Sequence, residues 1–360
     1  MDQETYCVLA YNHLSIDPQG QVRPCCNYNF HKKSFRDTQW KFKSIWNSDN
    51  LADLLTGQPH IELRKDIEKN HKHTFCDRCW VSELNGGESY RNMWNDIFDC
   101  KTKDKFQREI KIEYVEFTLG NKCNIQCRMC NPLDSTQWKD WGSIVSHYEK
   151  EGNYLVDAVK SLGLEKAPYV GMFEDKLHFW ENLEKLLPYF KRVEFAGGEP
   201  LMNKEHFQWL KQLPQESKAK TQLLYNTNGT QRPTDEEIEI WKDLKGVWIT
   251  FSIDSAYKKF EMLRVNAKWD KVIENIRYVT NEVVRNKLHH QTSNGYTNTA
   301  IVMTVHAGNV TDMMDLYDAT KHLKWVQRDY INYNYLYYPE SMAIHNMSKD
   351  NLKKAIEYYN

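Results

Sequence analysis

From residue 111 to 337 the sequence alternates short apolar runs with amphipathic stretches, and this alternation restricts the fold more than any other feature. The apolar runs fall at 111–119, 192–195, 222–226, 246–253, 299–305 and 330–337. Each has the length of a strand and is bounded by turn-forming or polar residues. Between them apolar residues recur at helical spacing, most clearly over 269–285, where Trp269, Val272, Ile273, Ile276, Val279 and Val283 share a face. The segments 182–189, 204–212, 235–244 and 311–323 repeat the pattern. Strand, helix and strand in succession close as right-handed βαβ units around a parallel sheet. Six strands of this kind predict an α/β fold, a partial (β/α)6 TIM-like barrel.

The first hundred residues read differently. They are irregular, aromatic and polar, with short helical patterns only at 45–55 and 61–67, and the charged stretch KTKDKFQR at 101–108 follows them. This organisation predicts a small cysteine-rich domain over 1–105, the barrel over 106–345 and a C-terminal helix over 346–360. One connection, about 135–181, exceeds what a single crossover needs. Long excursions at the functional end of a barrel form lids or substrate walls. Its aromatic residues Trp138, Trp141, Tyr148, Tyr154, Tyr169 and Phe173 suit a peptide groove and an ordinary hydrophobic core equally.

A net charge of −1 gives no general attraction to nucleic acid or anionic membranes. No run approaches the roughly 18 apolar residues of a membrane span. The opening MDQETYCVLAYNH lacks the basic and apolar regions of a secretory signal. A cytoplasmic protein is expected, and its thiols are then reduced. There are nine cysteines, an odd number, all within the first 130 of 360 residues. Generic small apolar residues would be scattered more evenly. Clustered thiols in a reducing compartment point to metal or cluster ligation.

Three of these cysteines stand on one loop. Cys123, Cys127 and Cys130 follow the first long strand with the spacing C-x3-C-x2-C. Three thiolates so placed can hold three irons of a cubane and leave the fourth without a protein ligand. The bland alternative is a zinc or purely structural site completed from elsewhere. The spacing resembles the signature of the radical S-adenosylmethionine (SAM) superfamily. That resemblance implies a [4Fe–4S] cluster whose open iron takes the amino and carboxylate groups of SAM. It also implies an external low-potential electron donor, whose electron splits SAM into methionine and a 5′-deoxyadenosyl radical that abstracts hydrogen from a substrate. The protein supplies binding, orientation and shielding from water.

Other motifs follow in the family's order, over roughly residues 110–340. Gly197-Gly198-Glu199-Pro200 succeeds the second strand, as the family's GGE motif for the SAM amino group does; alone, it reads as a turn. Ser252 in Phe-Ser-Ile-Asp-Ser and the downstream Arg264 resemble the residues that hold the carboxylate and ribose end of SAM, with Ser255 standing where glycine is usual. An arginine fork matches two carboxylate oxygens. Asn228 lies in Asn-Thr-Asn-Gly after the third strand, resembling a family turn that reads as either a plain strand end or a SAM contact. Asn309 matches a further family position and is expected to be structural.

Cys7, Gly20, Cys25, Cys76 and Cys79, as C-x12-G-x4-C and C-x2-C, look like half of a SPASM domain, the shorter twitch form. That likeness implies a second, auxiliary [4Fe–4S] cluster on Cys7, Cys25, Cys76 and Cys79, placed before the barrel instead of after it. Cys25 fits the glycine spacing better than its neighbour Cys26. A four-cysteine zinc site would use the same residues. Cys100 is expected as a buried thiol, and His71 and His73 as a solvated basic face.

Enzymes of this type modify peptides or proteins, or oxidise small molecules such as sugars. The resemblance therefore implies a peptide, protein or small-molecule substrate. The rival is a non-catalytic iron–sulfur or zinc protein acting as a sensor or binding module, which gives no joint role to Gly197–Pro200, Ser252 and Arg264.

Overall fold

All six predicted runs form strands. A computed structural model describes residues 4–17, 20–29, 42–45, 51–100, 106, 109–131, 134–138, 190–288, 299–325, 330–337 and 339–359. In chain order the strands are β1 (His13–Ile16), β2 (Val22–Arg23), β3 (Tyr114–Thr118), β4 (Gln126–Cys127) and β5 (Arg192–Ala196), followed by β6 (Gln222–Thr227), β7 (Gly246–Ser252), β8 (Arg264–Val265), β9 (Thr299–Val305) and β10 (Ile331–Tyr335). Eight of them make one sheet in the order β10-β9-β7-β6-β5-β3-β1-β2, and β4 pairs with β8 in a separate ribbon. Every pairing in the large sheet is parallel except β1 with β2. Among the described residues the sheet does not close, so the barrel is partial.

Side chains alternate across each strand. One face carries Val115, Phe117, Val193, Phe195, Leu223, Tyr225, Ile249, Phe251, Ile301 and Met303, all buried. These pack in one core with Trp209, Leu210, Ile238, Trp241, Val272, Ile276 and Leu316 from the helices that follow the strands. The helix Trp269–Arg285 buries the apolar face expected of it. The helix Asp235–Lys242 opens with a capping box, in which Thr234 accepts from the Glu237 amide and Glu237 accepts from the Thr234 amide. The helices Glu205–Gln212 and Met313–Thr320 lie within the predicted segments, and Lys349–Tyr359 forms the C-terminal helix.

The opposite, concave face carries Tyr114 and Glu116 of β3, Arg192 and Glu194 of β5, and Asn226 of β6. The N-terminal segment also contributes to the main sheet, where β1 lies beside β3 with Ser15 level with Glu116. Its four residues are all buried, and so short a run shows no periodicity. By pairing there, β1 covers what would otherwise be an exposed edge of β3. Tyr6, Val8, Leu9, Tyr11, Leu63, Ile67 and Trp94 then pack in a second core with Tyr114 and Leu224 of the sheet. Most of the long excursion and all of the 182–189 segment lie outside the described residues, as do Trp141, Tyr148, Tyr154, Tyr169 and Phe173.

Candidate functional site

The cysteine loop leaves β3 at its C-terminal end and is fixed by hydrogen bonds from residues 135–137 to its backbone carbonyls. The Thr136 amide donates to Asn121 O at 2.9 Å and Ser135 Oγ to Ile125 O at 2.7 Å, while Thr136 Oγ1 and Gln137 Nε2 both donate to Cys123 O. The ribbon β4–β8 sets Cys127 opposite Arg264, and the Arg128 amide donates to Leu263 O at 2.8 Å. Cys123 and Cys127 are buried and Cys130 is half-buried. Burial raises all three thiols, Cys127 to about 11, and each of the later two is raised further by the earlier thiols of the loop. The three sulfurs therefore lie within electrostatic reach of one another. Two nitrogens are aimed at them, with Asn228 Nδ2 3.6 Å from Cys123 Sγ and Arg264 Nη1 3.7 Å from Cys127 Sγ. Sulfur donors on one loop that accept N–H bonds suit an iron–sulfur cluster.

The glycine turn after β5 packs directly on this loop. Gly197 has φ +86° and Gly198 has φ +41°, the left-handed region that favours glycine. A Cβ on Gly198 would stand 2.3 Å from Lys122 O, and one on Gly197 would stand 2.9 Å from Gly120 O. The glycines thus let two backbones touch just ahead of Cys123, and the Glu199 amide seals the contact by donating to Lys122 O at 2.8 Å. The Glu199 carboxylate is buried and accepts from Thr227 Oγ1 and the Asn228 amide at 2.7 Å and from the Leu201 amide at 3.1 Å. Burial raises it to about 7 against those bonds. Glu199 consequently ties the glycine turn to the turn after β6, and Asn228 in that turn reaches the cysteine loop.

Ser252 is half-buried at the C-terminal end of β7. Arg264 is buried and committed: Nε and Nη2 both reach Asp254 Oδ2 at 2.7 Å. Asp254, wholly buried, also accepts from the Thr304 amide at 2.9 Å. Asn309 has the structural place expected of it, donating to Asp254 O and Thr304 O and accepting from the His306 amide. Ser255 donates to Asp312 at 2.6 Å. Sequence reasoning passed over Asp254, although an acid inside the apolar run Phe-Ser-Ile-Asp was its signal.

At the other end of the sheet, Cys7, Cys25, Cys76 and Cys79 line one small pocket. Cys7 precedes β1, and Cys25 follows β2, whose antiparallel course brings Pro24 O within 3.0 Å of His13 Nδ1 at the start of β1. Cys76 and Cys79 bracket the start of the helix Asp77–Leu84. Burial raises all four thiols, Cys7 to about 12, while the Arg91 guanidinium pulls Cys7, Cys76 and Cys79 down. Arg91 is held by Glu83, with Nη2 to Oε2 at 2.6 Å, and donates from Nη1 to Tyr6 O at 2.7 Å. Among the described residues, at this site and at the cysteine loop alike, no three His, Cys, Asp or Glu side chains are grouped tightly enough to hold a metal ion. Four thiol donors on one pocket have the chemistry to hold a metal or an iron–sulfur cluster.

Cys26 does not line that pocket. Its thiol faces Glu116, Glu194 and Tyr90, and the surrounding protein and both carboxylates raise it. Glu116 and Glu194 are register partners on β3 and β5. Burial raises both, and Glu194 raises Glu116 further, against hydrogen bonds from Cys26 and Ser15. Tyr114 Oη and Asn226 Nδ2 donate to Glu194. His13 Nε2 stands 3.7 Å from Glu116 Oε2 with its imidazole held neutral by burial. This acidic group on the concave face was also missed. Its signal was a glutamate at the same place in the runs Tyr-Val-Glu-Phe and Arg-Val-Glu-Phe.

His73 corrects another expectation. It is buried, with Nδ1 2.7 Å from Asp66 and Nε2 2.9 Å from Tyr28 Oη, while His71 is exposed. Cys100 is buried and donates to Phe98 O at 3.3 Å. No helix among the described residues is long and apolar enough to cross a membrane.

Residues 117–298 match the family model described as the radical SAM superfamily, and residues 7–80 match SPASM, described as an iron–sulfur cluster-binding domain. No curated protein matches the sequence. Among solved structures, the chain is similar to anSMEcpe with bound AdoMet, at 14% identity and TM-score 0.37, over 58% of this chain and 48% of that one. It is also similar to Streptococcus suis SuiB bound to precursor peptide SuiA, at 13% identity and TM-score 0.35, over 90% of this chain and 55% of that one. The match thus spans about half the length of these structures.

Proposed function

The chain belongs to the radical SAM superfamily, and on that premise we propose that it is an enzyme in which Cys123, Cys127 and Cys130 hold the SAM-binding cluster. Its cofactors are a [4Fe–4S] cluster, SAM and an auxiliary iron–sulfur cluster. Bound together, cluster and SAM supply reductive cleavage to methionine and a 5′-deoxyadenosyl radical, the hydrogen-abstracting species. One observation carries the reading: two buried side-chain N–H donors point at the sulfurs of Cys123 and Cys127, on the loop that also carries Cys130.

The chain's own residues hold and screen this chemistry. Gly197 and Gly198 let the strand-end turns close on the cysteine loop, and Glu199 and Asn228 keep that packing in register. Ser252 stands at the same end of the sheet, where substrates of open α/β sheets bind. We assign Gly197, Gly198, Glu199, Ser252 and Asn228 to the SAM side of the site. Cys7, Cys25, Cys76 and Cys79 we assign to the auxiliary cluster, because they line one pocket and lie within the residues that match an iron–sulfur cluster-binding domain. The substrate, a peptide, a protein or a small molecule such as a sugar, would then lie on the concave face between the two sites, and an external low-potential donor would supply electrons.

The test is anaerobic reconstitution with iron and sulfide, followed by SAM and dithionite. Formation of 5′-deoxyadenosine is expected, and its complete loss in Cys127→Ala. Clusters that never cleave SAM would instead favour a sensor or binding module.

A further inference from the structure

Arg264 resembles a residue that grips SAM, yet its fork is already occupied. The Nε and Nη2 edge, the geometry that would match a carboxylate, is engaged by Asp254 at 2.7 Å. Asp254 is itself fully buried and tied to the Thr304 amide. The nitrogen left over, Nη1, points at Cys127 Sγ from 3.7 Å. Its aim is set by backbone, since Cys127 and Arg264 are register partners in the β4–β8 ribbon. On the other side of the loop Asn228 Nδ2 points at Cys123 Sγ from 3.6 Å, steadied by Asn124 Oδ1 at 3.3 Å.

We propose that Arg264 and Asn228 tune the reduction potential of the cluster held by Cys123, Cys127 and Cys130, and that Asp254 is the positioning residue that aims Arg264; this rests on the assignment of that cluster given above. The physical reason is charge. Reduction adds an electron that is shared with the thiolate sulfurs, and an N–H bond to sulfur is stronger when the sulfur is more negative. Donors buried at the sulfurs therefore favour the reduced state and raise the potential. Because Asp254 cancels the guanidinium charge, the effect is carried by the hydrogen bond and not by a free cation.

The experiment is a redox titration of the reconstituted full-length protein followed by electron paramagnetic resonance. SAM perturbs only the cluster it binds, so the signal that changes on adding SAM identifies the triad's cluster. If the wild-type protein shows no such signal, the cluster assignment itself fails. Given the signal, titrations without SAM compare the wild type with Asn228→Ala and with the charge-neutral double variant Asp254→Asn/Arg264→Gln. Each should lower the reduced-to-oxidised ratio at a fixed potential about tenfold, about 59 mV for a one-electron couple. SAM affinity of the double variant, by equilibrium dialysis, should change less than about twofold. An unchanged potential with weakened SAM binding would overturn the proposal and return Arg264 to the SAM contact. Should the double variant fail to hold iron, Asn228→Ala decides alone, because it lies outside the ion pair: an unshifted potential there overturns the tuning role.

Discussion

Cys123, Cys127 and Cys130 come from one loop of eight positions, 123–130, whereas Cys7, Cys25, Cys76 and Cys79 are gathered from positions 7 to 79. The first set is held by local bonds of its own loop and by the turns that pack on it. The second needs β2 to return along β1, the helix Asp77–Leu84 to start between two cysteines, and Arg91 to reach across to Tyr6 O. A loop of the first kind can present ligands before a cluster arrives, while a site of the second kind exists only once the chain has folded around it. Metal bound at the second site should therefore count as folding energy. The triad's loop leaves the C-terminal end of β3, whereas Cys7 and Cys25 flank the β1–β2 pair. Between them on the concave face stand Glu116, Glu194 and Cys26.

The largest effects separate the two sites. Cys127→Ala should abolish 5′-deoxyadenosine formation, and the Cys76→Ala/Cys79→Ala pair should lower iron from about eight to about four per chain by cubane stoichiometry. The second variant should also melt earlier than the first; equal melting would mean that the sites contribute alike to folding. Next comes Gly198→Ala, which meets Lys122 O at a positive φ. It should destabilise the metal-free protein by more than ~1 kcal/mol in thermal unfolding, and an unchanged melting temperature would show that the turn can open without cost.

A smaller effect depends on pH. The Glu116 carboxyl is raised to about 8, first by burial and then by Glu194. The groups facing it are Glu194, Cys26, Ser15, His13, Tyr114 and Arg23. A raised folded-state value means that its contribution to stability is fully present below the ordinary carboxylate range and is lost as pH rises through about 8. Glu116→Gln removes that loss, so its stability relative to the wild type should improve by at least ~1 kcal/mol, one pKa unit's worth, between acidic and mildly alkaline pH. Parallel unfolding curves at both pH values would contradict the shift. The smallest expected change is none: Cys26→Ser should keep full iron content while Cys25→Ser loses the auxiliary cluster, and the reverse result would exchange their roles.

The contrast also explains what could be read from sequence. Strands β5, β6, β7 and β9 show as runs because each is buried on both faces or bounded by a turn, and the triad shows because its ligands are neighbours. The four residues of β1 were invisible, since only pairing with β3 identifies them as a strand. Spacing favours Cys25 over Cys26 only by one position, and the pocket on one side and Glu116 on the other separate them in the fold. His73 was misread for a similar reason. Its partner Tyr28 is 45 positions away, and a nearby acid at position 66 looks like ordinary surface charge. Contacts across strands and between distant segments have no signature in a linear pattern.

Mössbauer spectra of oxygen-free, iron-loaded protein with and without SAM probe the triad most directly. One iron should differ from its three neighbours in the cluster and change its parameters when SAM is added. Four irons that respond alike, or none that responds, would contradict a cluster held by only Cys123, Cys127 and Cys130.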